Sequence, residues 1–66
     1  MRYKLVIKQW LCDVDTYECE DAKSAVEWFR AEWLGAYDCG YCSLCVYDDG
    51  RELSLDEELD LGFCDD

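Results

Sequence analysis

An alternation of apolar and polar residues along residues 3–11 indicates the first element. Such alternation is typical of a β-strand with one buried face. One face would carry Tyr3, Leu5, Ile7 and Leu11, and the other Lys4, Lys8 and Trp10. Residues 12–23, which follow, are rich in Asp and Glu, and they predict a connection that includes at most the frayed end of the strand.

A helical period replaces this alternation in residues 22–36. Apolar side chains recur there three and four positions apart, a spacing that places them on one face of an amphipathic helix. They are Ala22, Ala25, Val26, Phe29, Trp33 and Ala36. Asp21 is a favourable N-cap, and either Gly35 or Gly40 would end the helix. We therefore predict one main helix.

Turn and capping signals define the last third of the chain. Asp49–Gly50 is a preferred type I′ pair and predicts a hairpin turn. Ser54 and Glu57 have the spacing of a capping box, and Gly62 is a typical residue at a helix C-terminus. The predicted elements are a strand at 42–48, a short strand at 51–54 and a short helix at 54–62.

Together these elements predict an α+β fold in one small domain, residues 1–66, with the order β-α-β-β-α. The sheet would have three strands, and the main amphipathic helix would pack on one of its faces. If the two long strands lie in one sheet, the helix joins them by a right-handed crossover. The second face of the sheet would then be solvated or used for binding.

The net charge of the chain restricts its possible partners more than any sequence motif does. The 66 residues include 17 acidic and 6 basic side chains and no histidine, a net charge of −11. Proteins that bind nucleic acid or an anionic membrane directly use Lys and Arg for this purpose, so we expect neither ligand. A partner with a basic surface fits the charge better. The alternative is that the carboxylates serve only solubility.

The N-terminal sequence MRYKLVIKQW has no apolar stretch of the length found in signal peptides, and no later stretch is long enough to span a membrane. We therefore expect a cytoplasmic protein whose cysteines are reduced. In a secreted protein the six cysteines would instead form a disulfide framework.

Three of the six cysteines follow a C-x2-C-x2-C spacing. Structural zinc sites are built from four thiolate or imidazole ligands, and the chain has no histidine. The candidate zinc ligands are Cys39, Cys42, Cys45 and Cys64, with Cys12 and Cys19 as substitutes. The preferred interpretation needs no cofactor: Cys42 shares a strand face with Leu44 and Val46, and free cysteine packs like a small apolar residue.

Two redox families share parts of this spacing. The three-cysteine run resembles the first three cluster ligands of bacterial ferredoxins, but Asp49 stands where the fourth is expected. The sequence CGYC is similar to the dithiol motif of thioredoxins, which lies after a strand and opens a helix. Here CGYC follows a predicted helix and precedes a predicted strand, which is the reverse order. With the fourth cluster ligand missing as well, neither resemblance predicts redox chemistry.

No enzyme is expected. Triads of the Ser-His-Asp or Cys-His type and zinc-protease motifs all require histidine. The four glycines are scattered and form no phosphate-binding loop. A domain of this length also has little room for the pocket of about 300 Å³ or more that a substrate occupies.

The carboxylates concentrate in residues 13–21 and 48–66. We therefore predict a protein–protein interaction module that binds and inhibits or modulates a basic surface, such as the groove of a nucleic-acid-binding protein. In size and charge the chain resembles small acidic phage-encoded host-takeover proteins. Predicted contact residues are Asp13, Asp15, Glu18, Glu20, Asp21, Asp48, Asp49, Glu52, Asp56, Glu57, Glu58 and Asp60, with Tyr17, Tyr47 and Phe63 as apolar anchors. A homodimer through Trp10 or Trp28, and a zinc-binding structural module, are the alternatives.

Overall fold

Four strands and three helices are found in residues 1–63, the part of the chain that the computed structural model describes. In chain order they are β1 (Tyr3–Gln9), β2 (Cys12–Cys19), α1 (Ala22–Glu32), α2 (Leu34–Asp38), β3 (Ser43–Asp48), β4 (Arg51–Glu52) and α3 (Leu55–Leu61). The strands form one antiparallel sheet in the order β2-β1-β3-β4. The predicted α+β class is confirmed, but the sheet has four strands instead of three.

The acidic segment after β1 is a strand, not the connection that its composition indicated. β2 pairs antiparallel with β1 through a two-residue turn, Trp10–Leu11, so these two residues do not continue the first strand. Tyr17 and Cys19 of β2 face the core, while Thr16 and Glu18, which alternate with them, are exposed. A strand with one solvated face accommodates many carboxylates, because only alternate side chains need to be apolar.

The central position of β1 changes the topology that the sequence indicated. β1 is antiparallel to both neighbours, so β2 and β3 run parallel to each other on either side of it. α1 and α2 connect β2 to β3, so the predicted β-α-β-β-α order with a crossover from the first strand is wrong. The reason is that the β1–β2 turn reverses the chain before the helix begins. A bulge at Val14 shifts the β1–β2 register between Ile7 and Lys8.

The predicted helix of residues 22–36 is divided at Trp33. Asp21 caps α1 as predicted, since its carboxylate accepts a hydrogen bond from the backbone N–H of Ser24 at 3.2 Å. The backbone of Trp33 leaves the helical region, with φ −127° and ψ −9°. Its indole Nε1 donates to Asp15 Oδ2 at 3.1 Å, a contact to β2 that sequence periodicity could not reveal.

Turn and capping predictions near the C-terminus are confirmed. Asp49 and Gly50 both have positive φ, 53° and 86°, as a type I′ turn requires. Ser54 and Glu57 form the reciprocal capping box of α3, and Gly62 ends the helix in the left-handed conformation with φ 96°. The strand after the turn is shorter than predicted, since only two residues of β4 pair with β3.

One face of the sheet is covered by the helices and carries the core. The largest fully buried side chains are Phe29, Phe63, Leu5, Ile7 and Val46. Phe29 packs edge-to-face against Phe63, with ring centroids 6.1 Å apart. The predicted packing of the amphipathic helix on one face of the sheet is thus confirmed, and no helix within residues 1–63 covers the opposite face.

Candidate interaction surface

One residue of the first acidic segment and two of the second lie together at one end of the sheet. Because β2 and β3 run in the same direction, Glu20, just after β2, lies at the same end as Asp48 and Asp49. These three carboxylates line one open depression together with Arg2 and Arg51. We call Glu20, Asp48 and Asp49 the acidic end.

Arg2 orients one member of the acidic end. Its Nε donates to Asp48 Oδ1 at 2.8 Å and its Nη2 to Asp48 Oδ2 at 3.4 Å. The bond with Arg2 lowers the pKa of the Asp48 carboxyl. Glu20 and Asp49 form no ion pair within residues 1–63. The unbalanced negative charge of the acidic end therefore lies on these two side chains.

A second ion pair fixes α3 beside this end. Both terminal nitrogens of Arg51 donate to the Glu57 carboxylate, at 3.1 and 2.8 Å. These bonds and the capping contact with Ser54 lower the pKa of Glu57 to about 2. Asp60 lines a neighbouring groove with Asp48 and Glu57. Among the predicted contact residues, Glu57 and Asp60 thus adjoin the acidic end.

Asp13, Asp15 and Asp21, three other predicted carboxylates of the first acidic segment, make local contacts. Asp13 lies 3.9 Å from the Lys8 ammonium, near the turn at the opposite end of β1. Asp15 accepts the indole hydrogen bond of Trp33, and Asp21 caps α1. The fold does not bring Asp13 and Asp15 to the acidic end.

Glu18, Glu52 and Asp56 are exposed at separate places. Glu18 pairs across the sheet with Lys4, and Glu52 pairs with Tyr47. Asp56 lies in the first turn of α3, where a carboxylate interacts favourably with the helix dipole.

Glu58 lies in the interior, with 6% of its surface exposed. Burial, and in second place the charge of Glu52, raises the pKa of its carboxyl to about 7. Although the sequence groups Glu58 with the other contact residues, its side chain contributes little to the molecular surface.

The open face of the sheet is the second face, which the sequence predicts to be solvated or used for binding. A groove of about 400 Å³ crosses it, lined mainly by alternating residues of β1 and their neighbours. Arg2, Lys4 and Lys8 lie along this groove, and Asp13 and Glu18 flank them. The charge of this face is therefore mixed. In the sequence, the basic side chains of this face are visible as three Lys and Arg residues within the first eight positions.

The candidate zinc ligands are spread over three local environments. Cys39 is exposed after α2, Cys42 packs against the core, and Cys45 lies opposite Val6 on the open face. Within residues 1–63, no three cysteine or acidic side chains lie close enough to hold a metal ion. Cys64 lies outside the described residues, so the four-cysteine zinc site stays a prediction. Burial raises the pKa of the Cys19 and Cys42 thiols, which keeps them protonated.

The candidate aromatic anchors differ sharply in exposure. Tyr17 stacks on Trp28, with centroids 4.8 Å apart, and Phe63 is fully buried. Tyr47 is half-buried on the open face. Trp10, by contrast, is 100% exposed in the β1–β2 turn. The sequence pattern assigned Trp10 to a strand and so missed its position at a turn.

None of the helices in residues 1–63 combines the length and apolar character needed to cross a lipid bilayer. Comparison with known proteins adds no assignment, because no protein-family model, curated protein or solved structure matches this chain.

Proposed function

We propose that the protein is an acidic interaction module of the cytoplasm that binds a basic surface of another protein and inhibits or modulates it. The observation that supports this proposal is the acidic end. Carboxylates that are 28 and 29 positions apart along the chain line one depression there, because β2 and β3 end at the same end of the sheet. Complementary charge of this kind speeds association and selects partners.

The charges around the depression favour a protein partner with discrete Lys or Arg side chains. Arg2 and Arg51 hold Asp48 and Glu57 in place, so these carboxylates are already oriented before binding. Glu20 and Asp49 remain available to accept hydrogen bonds from a partner's cations. A preorganised surface of this type loses less side-chain entropy on binding. A nucleic acid would be repelled by the net charge of −11.

The proposal is tested by affinity capture from a lysate of the source cells at two salt concentrations. We expect one basic protein to be retained at low salt and released at high salt, because exposed charge pairs are screened. The variant Glu20→Gln/Asp49→Asn should weaken its binding by roughly tenfold, a loss of about 1.4 kcal/mol.

The matched control is Glu32→Gln/Asp38→Asn, which removes two exposed carboxylates from the ends of α1 and α2 and so changes the net charge equally. Its affinity should stay close to that of the wild-type protein. Equal losses in the two variants, or retention of nothing but a mixture of unrelated basic proteins, would refute the proposal.

A further inference from the structure

The turn between β1 and β2 presents two large apolar side chains to solvent. Trp10 is 100% exposed and Leu11 is 99% exposed. Gln9 and Cys12 pair on either side of them, so the two residues form the complete loop of a tight hairpin. We call Trp10 and Leu11 the hairpin tip. Neither side chain buries surface within residues 1–63, and so neither contributes to the core.

The backbone of the tip is unfavourable for its residues. Trp10 has φ 59°, whereas Leu11 is not among the residues with positive φ. This sign pattern is that of a type II′ turn, which prefers glycine at the first position. A bulky residue with positive φ is strained, and such strain is found most often at functional sites. The positive φ of Trp10 is thus unfavourable for the turn, and the two exposed side chains add no packing within residues 1–63. A residue choice of this kind indicates a role in binding instead of in folding.

The tip lies at the opposite end of β1 from the acidic end, since β1 begins beside Asp48 and finishes at Gln9. Two further exposed apolar residues belong to the same end of the sheet. Val14 forms the bulge in β2, and Tyr41 lies two residues before β3, whose Ser43 pairs with Lys8. Exposed apolar side chains at this end of the sheet are therefore not confined to the turn.

We infer that the hairpin tip is an apolar anchor that inserts into a pocket on another protein, and that this pocket is apolar inside and basic at its rim. A convex tip of Trp and Leu on a hydrogen-bonded hairpin fits a concave site, and Trp is enriched among the residues that dominate binding energy. Beside the tip Asp13 is paired with Lys8, so the local charge is balanced, but the whole molecule carries −11, and a basic rim is complementary to this net charge.

Two other partners for the hairpin tip, a second copy of the chain and a lipid surface, fit less well. A second copy of the chain would bring two molecules of charge −11 together, and the grooves described in residues 1–63 are lined mainly by charged side chains. A lipid surface of the cell is itself negative and would repel the molecule. The inference does not rest on the proposed function, because the tip and the acidic end are separate surfaces.

Photocrosslinking from the tip tests the inference. Leu11 is replaced by its diazirine analogue through chemical synthesis, and the protein is irradiated in a lysate of the source cells and with vesicles of mixed neutral and anionic lipids. We expect crosslinks to one protein, at peptides that line an apolar pocket flanked by Lys or Arg. The same probe carrying Trp10→Gly should lose these crosslinks.

The crosslinked protein is then used for affinity measurements. Trp10→Gly/Leu11→Asn should weaken its binding at least tenfold, while its thermal unfolding midpoint should equal or exceed that of the wild type, because Gly-Asn suits this turn. Should this variant fail to fold, Leu11→Ser, which leaves the first turn position unchanged, replaces it. Leu55→Ala, a change of an exposed leucine in α3, is the control and should bind normally.

Glu20→Gln/Asp49→Asn separates the two proposals. If the tip acts independently, this variant keeps the crosslinks even where it loses salt-dependent capture. Crosslinks to lipid, to a second copy, or to scattered sites outside any pocket would overturn the inference. The absence of crosslinks, or an unchanged affinity of the tip variants, would overturn it as well.

Discussion

At the scale of single residues, Glu58 shows how burial changes the chemistry of an acidic side chain. Its pKa of about 7 lies above the ordinary value of 4.5. Between these two pH values the folded protein keeps a proton that the unfolded chain has released. The free energy of unfolding therefore falls as pH rises through this window.

Glu58→Gln removes this dependence, because the amide has no proton to lose. We expect the variant to be more stable than the wild type at about pH 8, where the wild-type carboxylate is charged in the interior, and to differ little at about pH 5. Thermal unfolding followed by circular dichroism at both pH values measures the difference. Glu27→Gln, which neutralises an exposed carboxylate of α1, serves as the control. Parallel pH profiles of the wild type and Glu58→Gln would contradict the assignment.

At the scale of elements, the seven-residue helix α3 depends on its cap. The Ser54 hydroxyl accepts from the backbone N–H of Glu57 at 3.3 Å, and the Glu57 carboxylate accepts from the backbone N–H of Ser54 at 3.2 Å. A short helix has few internal hydrogen bonds, so the loss of a cap affects much of it.

We expect Ser54→Ala to lower the free energy of unfolding by about 1 kcal/mol, the usual effect of losing such a cap. Urea denaturation measures it. Ser43→Ala at the exposed start of β3 is the matched change, and it should remain within about 0.5 kcal/mol of the wild type. If the two substitutions had equal effects, the cap would not stabilise α3 as described.

The sequence predicts those parts of the fold that depend on residues close together along the chain. The cap of α3 and the Asp49–Gly50 turn depend on residues within four positions of one another, and both were predicted correctly. β2 was missed because its carboxylates resemble those of a loop, and only its pairing with β1 shows that one face is buried. At the break between α1 and α2, Trp33 donates a hydrogen bond to Asp15, which lies 18 positions away in the sequence and is not revealed by helical periodicity.

At the scale of the whole molecule, the dominant quantity is the net charge of −11 on a body of 27 × 25 × 20 Å. Like charges distributed over so small a volume repel one another and destabilise the compact state. At about 0.01 M salt the Debye length is about 30 Å, so this repulsion extends across the whole protein, whereas at about 0.15 M it is about 8 Å.

We therefore expect the thermal unfolding midpoint to rise when sodium chloride is increased over this range. Calorimetry at fixed pH measures the shift. Screening also weakens the Arg2–Asp48 and Arg51–Glu57 pairs, but exposed pairs contribute little individually. A midpoint that falls with salt would mean that these pairs outweigh the general repulsion.

The acidic end is also a property of the whole molecule. The sequence located the carboxylates, but it could not show that Glu20 and Asp49 would lie at one end of the sheet while Asp13 lies at the other. That arrangement follows from the position of β1 between β2 and β3, which requires the pairing of strands distant in sequence. The sequence identifies the individual acidic residues, but it does not show which of them lie side by side in the folded protein.

The bulge and the carboxylates of β2 affect how copies of the chain associate with one another. β2 is an outer strand, and its outward backbone groups could template the growth of an intermolecular sheet. The bulge at Val14 bends this template, and Asp13 and Glu18 place negative charge along it, so approaching copies repel one another. The carboxylates of β2 thus act against edge-to-edge association of copies of the chain.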